Sequence, residues 1–180
     1  MSGNIAIGIQ DFSTIIQGNY FYIDKTPFIK EWWDCGDSAT LITRPRRFGK
    51  TLTMSMVEQF FSIDYAGRSD LFEHLAIWKE EKYRELQGTY PVISLSFARI
   101  KERDYEKTKQ KMCEVLRNIY IKFCYIKDSE KLTDADRAYY ERMLEENIKE
   151  TDATSSLYQL SDFPVSYTHL RAHETRSNLV

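Results

Sequence analysis

The stretch that decides the fold is Arg44-Pro45-Arg46-Arg47-Phe48-Gly49-Lys50-Thr51. Its last three residues have the form of the end of a phosphate-binding loop, in which backbone N–H groups surround the phosphates of a nucleotide. The lysine of such a loop reaches the terminal phosphates, and the hydroxyl that follows it coordinates Mg²⁺. A glycine before the lysine lets the backbone approach the phosphates closely. The segment therefore predicts a phosphate site, with Thr51 as a ligand of Mg²⁺.

The residues on both sides of this loop fit the motif. Residues 38–43 read as a short buried strand, and residues 51–61 read as a helix with one apolar side. A helix that begins at Lys50 directs its free N–H groups and the positive end of its dipole at an anion. The order strand, loop, helix is what the motif requires. We therefore expect the residues that bind ATP to form one continuous run, which is Arg44, Pro45, Arg46, Arg47, Phe48, Gly49, Lys50, Thr51 and Leu52.

One position departs from the general pattern, which places a glycine five residues before Gly49, where this chain has Arg44. The sequence Gly-Lys-Thr alone also fits a basic turn between a strand and a helix. In that alternative, Arg44, Arg46 and Arg47 grip nucleic acid or a phosphorylated partner, and the protein is a binding module that does not hydrolyse nucleotide. The residues of the loop alone leave both interpretations open.

The rest of the chain predicts an α/β fold. Strand-like apolar segments at residues 20–23 and 91–97 accompany the one before the loop, and helical patterns separate the three. Such an order favours a parallel sheet with right-handed crossovers. A helix is expected from Pro27, with Thr26 as its N-cap and Gly36 as its stop. Further helices are predicted at residues 51–61, 102–125, 133–148 and 154–160, with a helical or irregular stretch at residues 71–86.

Three segments occur in an order and at separations that resemble the start of the bacterial AAA-ATPase-like family. They are Gly8-Ile9-Gln10-Asp11-Phe12, Tyr20-Phe21-Tyr22-Ile23-Asp24-Lys25-Thr26 and the loop itself. Residues 90–97 are similar to the next core strand of that family, and the resemblance extends to about Leu160. Arg-Pro-Arg-Arg-Phe-Gly-Lys is the usual loop of the family, so Arg44 departs only from the general pattern. The resemblance implies an ATPase that uses ATP and Mg²⁺, with Gln10 and Asp11 beside the adenine and a nuclease-like C-terminal domain in full-length members.

Hydrolysis needs acidic residues at the end of a further strand, one to hold Mg²⁺ and one to activate water. Residues 94–97 end the last strand-like segment without a carboxylate, and Glu102 opens a helix instead. In the family, the acidic strand follows a segment similar to residues 155–161. We therefore predict a P-loop NTPase-type parallel sheet flanked by helices and truncated before the acidic (Walker B) strand. The catalytic residues stay unknown, and this chain is expected to bind nucleotide without hydrolysing it.

The end of the chain resembles a sequencing artefact. Residues 165–180 look like the translation of a transposase end and a library adaptor, so His169 and His173 predict no metal site. Residues 1–164 are then expected to be one domain, the N-terminal part of the ATPase domain.

Composition limits the remaining functions. The formal net charge of −2 argues against a dedicated nucleic-acid binder, although nucleic acid stays open as a partner of the lost C-terminal region, as does a homo-oligomer. Three cysteines without metal-ligand spacing fit a reducing compartment. No long apolar run is present, so we expect a cytoplasmic protein without a membrane partner.

Overall fold

The computed structural model describes residues 4–45, 47–98, 100–130 and 132–163. Within these ranges, every assigned helix or strand element is helical. The predicted adaptor segment at residues 165–180 lies outside the described residues. The α-helices are α1 (Phe12–Gln17), α2 (Pro27–Cys35), α3 (Lys50–Phe61), α4 (Glu81–Arg84), α5 (Tyr105–Lys122), α6 (Asp134–Leu144) and α7 (Glu150–Asp162). Short 3₁₀-helices are Ile63–Tyr65, Ser69–Leu71, Ala76–Lys79 and Cys124–Asp128.

The described chain divides into two compact units, residues 4–94 and residues 95–163. The first unit contains α1 to α4 and the predicted phosphate loop, and the second contains α5 to α7. The expectation of one domain over residues 1–164 stays a prediction.

The predicted α/β sheet is wrong. Residues 20–23, 38–43 and 91–97 form no strand, and the β pairing of the described residues is one isolated parallel bridge between Ser62 and Tyr90. Tyr90 donates its N–H to the carbonyl of Phe61 at 2.8 Å and accepts from Ile63 N–H at 2.8 Å. The backbone of Tyr90 therefore forms its hydrogen bonds at the C-terminal end of α3 and not with another strand. An apolar run becomes a strand only where a neighbouring chain supplies hydrogen bonds, and Leu41, expected to be buried, is 85% exposed.

An aromatic cluster forms the core of the first unit. Three phenylalanines are fully buried: Phe12 of α1, Phe60 of α3 and Phe72. The ring centroid of Phe72 lies 5.1 Å from the ring centroid of each of the other two. Ile29 of α2 and Met56 of α3 are buried in the same cluster. The part of α3 that follows its first turn is thus held by apolar contacts with α1 and α2.

Three helices pack together in the second unit through buried tyrosines. The Tyr120 hydroxyl of α5 donates to the carbonyl of Ser156 on α7 at 2.7 Å, and Tyr140 of α6 donates to the carbonyl of Tyr120. The helix α6 begins with a capping box, in which Thr133 and Asp136 satisfy each other's backbone N–H groups. The predicted helices in this part are confirmed in type, with shifted ends; α5 begins at Tyr105 because Asp104 caps it.

The helix predicted from Pro27 is confirmed, with Thr26 at its N-cap position. Gly36 ends α2 in the left-handed region, with φ of 66°. Thr26 makes no side-chain capping bond to the helix. Its hydroxyl instead donates to Asp24 at 2.6 Å and accepts from Ile77 N–H at 3.2 Å, so it connects the start of α2 to the 3₁₀-helix Ala76–Lys79.

Asp11 links α1 to α3. Its carboxylate accepts from Thr14 N–H at 2.7 Å as the N-cap of α1, and from the Gln59 side-chain amide at 2.6 Å. Gln59 is 1% exposed, so this bond lies at the edge of the core. Burial raises the pKa of Asp11, but the hydrogen bonds from Ser13, Thr14 and Gln59 together outweigh burial and lower that pKa below its usual value.

The lowered pKa predicts a change in stability with pH. A carboxyl whose pKa is lower in the folded chain contributes stability above its unfolded pKa, near 4, and loses it as pH falls through the folded pKa. In Asp11→Asn this contribution is absent, so the free energy of unfolding should fall less steeply between about pH 5 and pH 2 than in the unmodified chain. Urea unfolding at a series of pH values measures the difference. Glu31→Gln, at an exposed position of α2, is the control, and identical pH profiles for Asp11→Asn and the unmodified chain would contradict the assignment.

Candidate phosphate-binding site

The predicted loop leads directly into α3. Lys50 is the first residue of that helix, and Gly49 is its N-cap with φ of 73° and ψ of 28°. Among the described residues no side chain caps α3, and the first-turn N–H groups of an α-helix have no partner within the helix. The predicted start of the helix at the lysine is therefore confirmed, and its first-turn N–H groups lie at the end of the loop.

Lys50 crosses the loop that precedes it. Its ammonium donates to the carbonyl of Arg44 at 2.6 Å, so the two ends of the predicted motif are joined. Lys50 is exposed, as is Thr51, the predicted Mg²⁺ ligand on the same first turn. Leu52 is half-buried and packs against the aromatic core of the first unit. The first turn of α3 thus presents Lys50 and Thr51 to solvent while Leu52 anchors it.

A second lysine reaches the loop from a distant part of the sequence. Lys25 donates to the carbonyl of Phe48 at 3.2 Å, across 23 residues. Its ammonium nitrogen also lies 2.6 Å from the position that a Cβ on Gly49 would occupy. The sequence did not predict this contact. The one signal for it is that Lys25 belongs to the family-like segment at residues 20–26.

The backbone around Lys25 is held on both sides. Asp24 accepts from Thr26 N–H at 2.8 Å and from Ala76 N–H at 2.7 Å, and Lys25 N–H donates to the Tyr22 hydroxyl at 3.3 Å. Burial raises the pKa of Tyr22 to about 12, and the charge of Asp24 acts in the same direction. Tyr22 therefore keeps its proton and donates to the sulfur of Met56 at 3.3 Å.

The arginines of the loop are solvent-exposed where the structure describes them. Arg44 and Arg47 are exposed, and Arg47 lies in the left-handed region with φ of 70°, while Arg46 lies outside the described residues. Pro45 and Phe48 are also exposed. None of the ion pairs among the described residues involves Arg44 or Arg47. The two lysines of the site, Lys25 and Lys50, form none there either. The loop therefore concentrates positive charge without a carboxylate partner in that part of the chain.

The two residues that the family resemblance puts beside the adenine lie near α1. Gln10 is exposed, and the Asp11 carboxylate is occupied by α1 and Gln59. Their proposed contact with a base stays a prediction. A cleft of about 320 Å³ is lined by residues of α2, α3 and 37–42, with Lys50 and the apolar Trp32, Leu41 and Met54 among them. No group of three or more potential metal ligands from His, Cys, Asp and Glu occurs among the described residues.

Comparison with known proteins identifies the family. A family model described as a predicted AAA-ATPase, AAA-ATPase-like, matches residues 6–159. The chain belongs to the AAA-ATPase-like family. It is also 33% identical over 113 residues to an uncharacterized protein in the vnfD 5'region of Azotobacter chroococcum mcd 1. That match covers 62% of this chain and 20% of the relative, so the chain spans about a fifth of the relative's length.

No solved structure matches the chain. The family assignment confirms the resemblance drawn from the three sequence segments, and it associates the chain with predicted ATPases. Within the ranges that the structure describes, the helices are too short or too polar to cross a membrane.

The left-handed backbone of Gly49 predicts a cost that can be measured. Gly49→Ala should lower the free energy of unfolding by about 1–2 kcal/mol, because a side chain is strained in this region of φ. The ammonium of Lys25 is the far end of a flexible side chain, so it would move aside at little further cost. Gly67→Ala is the matched control, because Gly67 has φ of 77° and open space around its Cβ position. Urea unfolding should give similar losses for the two variants, and a much larger loss for Gly49→Ala would contradict a Lys25 side chain that is able to move.

Proposed function

We propose that residues 44–52 bind the phosphates of Mg-ATP and that the protein is an ATPase of its family. The observation that carries this proposal is the meeting of two lysines and two exposed arginines at the uncapped start of α3. Free N–H groups and the helix dipole favour an anion at such a position. Membership in a family of predicted ATPases supports the phosphates of ATP as that anion.

Each residue of the run has a distinct role in this proposal. Gly49 keeps the backbone open to close approach, and the Lys50 ammonium exchanges the carbonyl of Arg44 for oxygens of the β- and γ-phosphates. A bond between an ammonium and a phosphate is charge-assisted, and it is stronger than the bond to a neutral carbonyl that it replaces. Thr51 supplies its hydroxyl to Mg²⁺. Arg44, Arg46 and Arg47 add positive charge around the same phosphates.

Binding and hydrolysis are separate parts of the proposal. No carboxylate of the described residues forms an ion pair with Lys25 or Lys50, and we assign no catalytic acid in this chain. We assign hydrolysis to a longer protein. A further region of that protein would act on nucleic acid. The protein would work in the cytoplasm, as a monomer or as a homo-oligomer.

A second candidate function rests on the arginines. The exposed Arg44 and Arg47, without an ion pair in the described ranges, suit a module that grips a polyanion and does not hydrolyse nucleotide. Nucleic acid or a phosphorylated partner would then contact Arg44, Arg46 and Arg47, and Lys50 would matter little.

The two candidates differ in what Lys50→Ala does. For the ATP site, this variant should weaken Mg-ATP binding about tenfold or more, because it removes a charge-assisted hydrogen bond to phosphate. Isothermal titration calorimetry on the full chain measures the affinity. Lys30→Ala is the matched control, since Lys30 is a lysine of α2 whose ammonium pairs with Glu80 away from the loop.

Unchanged affinity for Mg-ATP in Lys50→Ala would reject the ATP site. The second candidate is supported instead if single-stranded DNA binds with a steep salt dependence that survives Lys50→Ala and disappears when Arg46 and Arg47 are changed to glutamine.

A further inference from the structure

The contact of Lys25 with the loop has no explanation in the phosphate-binding motif itself. The motif supplies one lysine, Lys50, whereas Lys25 comes from a segment 23 residues before its partner Phe48. Its ammonium lies above the N-cap of α3, 2.6 Å from the Cβ position of Gly49. Glycine suits this position because its backbone lies in the left-handed region.

The position of Lys25 is fixed by residues on either side of it. Asp24 is bonded to Thr26 and to Ala76, while the backbone N–H of Lys25 is bonded to Tyr22. Tyr22 in turn contacts Met56 in the buried part of α3. The same helix that carries Lys50 at its first turn thus helps to hold the segment that carries Lys25. The backbone of Lys25 is thus held in place, and its side chain extends to the loop. The ammonium groups of Lys25 and Lys50 therefore both reach the loop from parts of the chain that α3 holds.

The electrostatics of this arrangement are unfavourable without an anion. A cation near the N-terminus of a helix is opposed by the helix dipole, and α3 has two lysines there. Asp24, the acidic neighbour of Lys25 in sequence, directs its oxygens to N–H and O–H groups of Thr26 and Ala76. In the described ranges, neither lysine has a carboxylate partner. Both ammonium groups instead donate to neutral carbonyls of the loop, Phe48 and Arg44.

We infer that Lys25 is a second phosphate-binding cation of the site, which recognises the terminal phosphates of a nucleoside triphosphate together with Lys50. This inference rests on the proposed function. On binding, Lys25 releases the carbonyl of Phe48 and donates to a phosphate oxygen, as Lys50 does when it releases Arg44. The number of phosphates on the nucleotide then determines how much Lys25 contributes, so it is a residue that sets the preference for ATP over AMP.

The test compares three variants of Lys25 in the full chain. Lys25→Gln keeps a donor that can bond the carbonyl of Phe48 but removes the charge, Lys25→Arg keeps the charge, and Lys25→Ala removes both. Calorimetry measures the affinity for ATP, ADP and AMP with Mg²⁺, and thermal unfolding without nucleotide measures the effect on the fold. Lys30→Ala again serves as the control for loss of a lysine from this unit.

We expect Lys25→Ala and Lys25→Gln to weaken ATP binding about tenfold or more, while AMP binding changes little and Lys25→Arg keeps most of the affinity for ATP. If Lys25→Gln binds ATP as tightly as the unmodified chain while Lys25→Ala does not, the inference is overturned. The role of Lys25 would then be only its hydrogen bond to the carbonyl of Phe48. An equal loss for ATP and AMP in Lys25→Ala would overturn it as well. If Lys25→Ala lowers the unfolding temperature, the comparison of Gln with Arg still decides, since both retain a donor.

Failure of this inference can be told from failure of the proposed function. If Lys50→Ala abolishes ATP binding and the three Lys25 variants bind ATP like the unmodified chain, the ATP site stands and the role of Lys25 is rejected. If the unmodified chain binds no ATP, both are rejected.

Discussion

The packing of α3 is the constraint on which the rest of the first unit depends. Met56 and Phe60 in its later turns are fully buried, whereas Lys50 and Thr51 at its start are exposed. A helix is rigid over this length, so apolar burial at one end determines where the charged end lies. Asp11 strengthens this arrangement because it holds Gln59 and caps α1 at the same time. Stability and the candidate function thus occupy opposite ends of one helix.

The loop itself is held by exchangeable bonds. Lys25 and Lys50 donate to carbonyls at its two sides, and neither bond lies in the core. Such bonds define a conformation without preventing the ammonium groups from turning to a stronger acceptor. Buried contacts could not be exchanged in this way, since breaking them would leave unpaired groups away from water. The position of the lysines at the surface end of α3 is therefore what makes an anion-binding role chemically reasonable.

The sequence predicts those features that depend on neighbouring residues. The helices α2, α3 and α5 to α7 follow from apolar periodicity, and the end of α2 follows from the local signal of Gly36. The ends of α5 to α7 differ from the predicted ones, because caps such as Asp104 set them. The sheet could not be decided locally, because a strand needs partners elsewhere in the chain. The backbone hydrogen-bond partners of Tyr90 are Phe61 and Ile63, at the end of α3.

The same distinction applies to the candidate site. The run from Arg44 to Leu52 is visible as a motif, and it stays a prediction as a nucleotide site. The contact of Lys25 with Phe48 spans 23 residues, and the bond of Thr26 to Ile77 spans 51, so no local pattern indicates either one. Long-range hydrogen bonds decide which distant partner a polar side chain such as Lys25 or Thr26 finds.

The division of the chain bears on which part would bind nucleotide. The segments at residues 20–26 and 44–52 lie in the first unit, as do the core residues that hold them. The second unit has its own buried tyrosines, which bond to carbonyls of its own helices. Phosphate recognition by two lysines would therefore need only residues 4–94. The chain spans about a fifth of its relative's length, and under the proposed function hydrolysis and any output would need residues other than those that bind phosphate. Nucleotide affinity and ATPase activity should accordingly respond to different sets of substitutions.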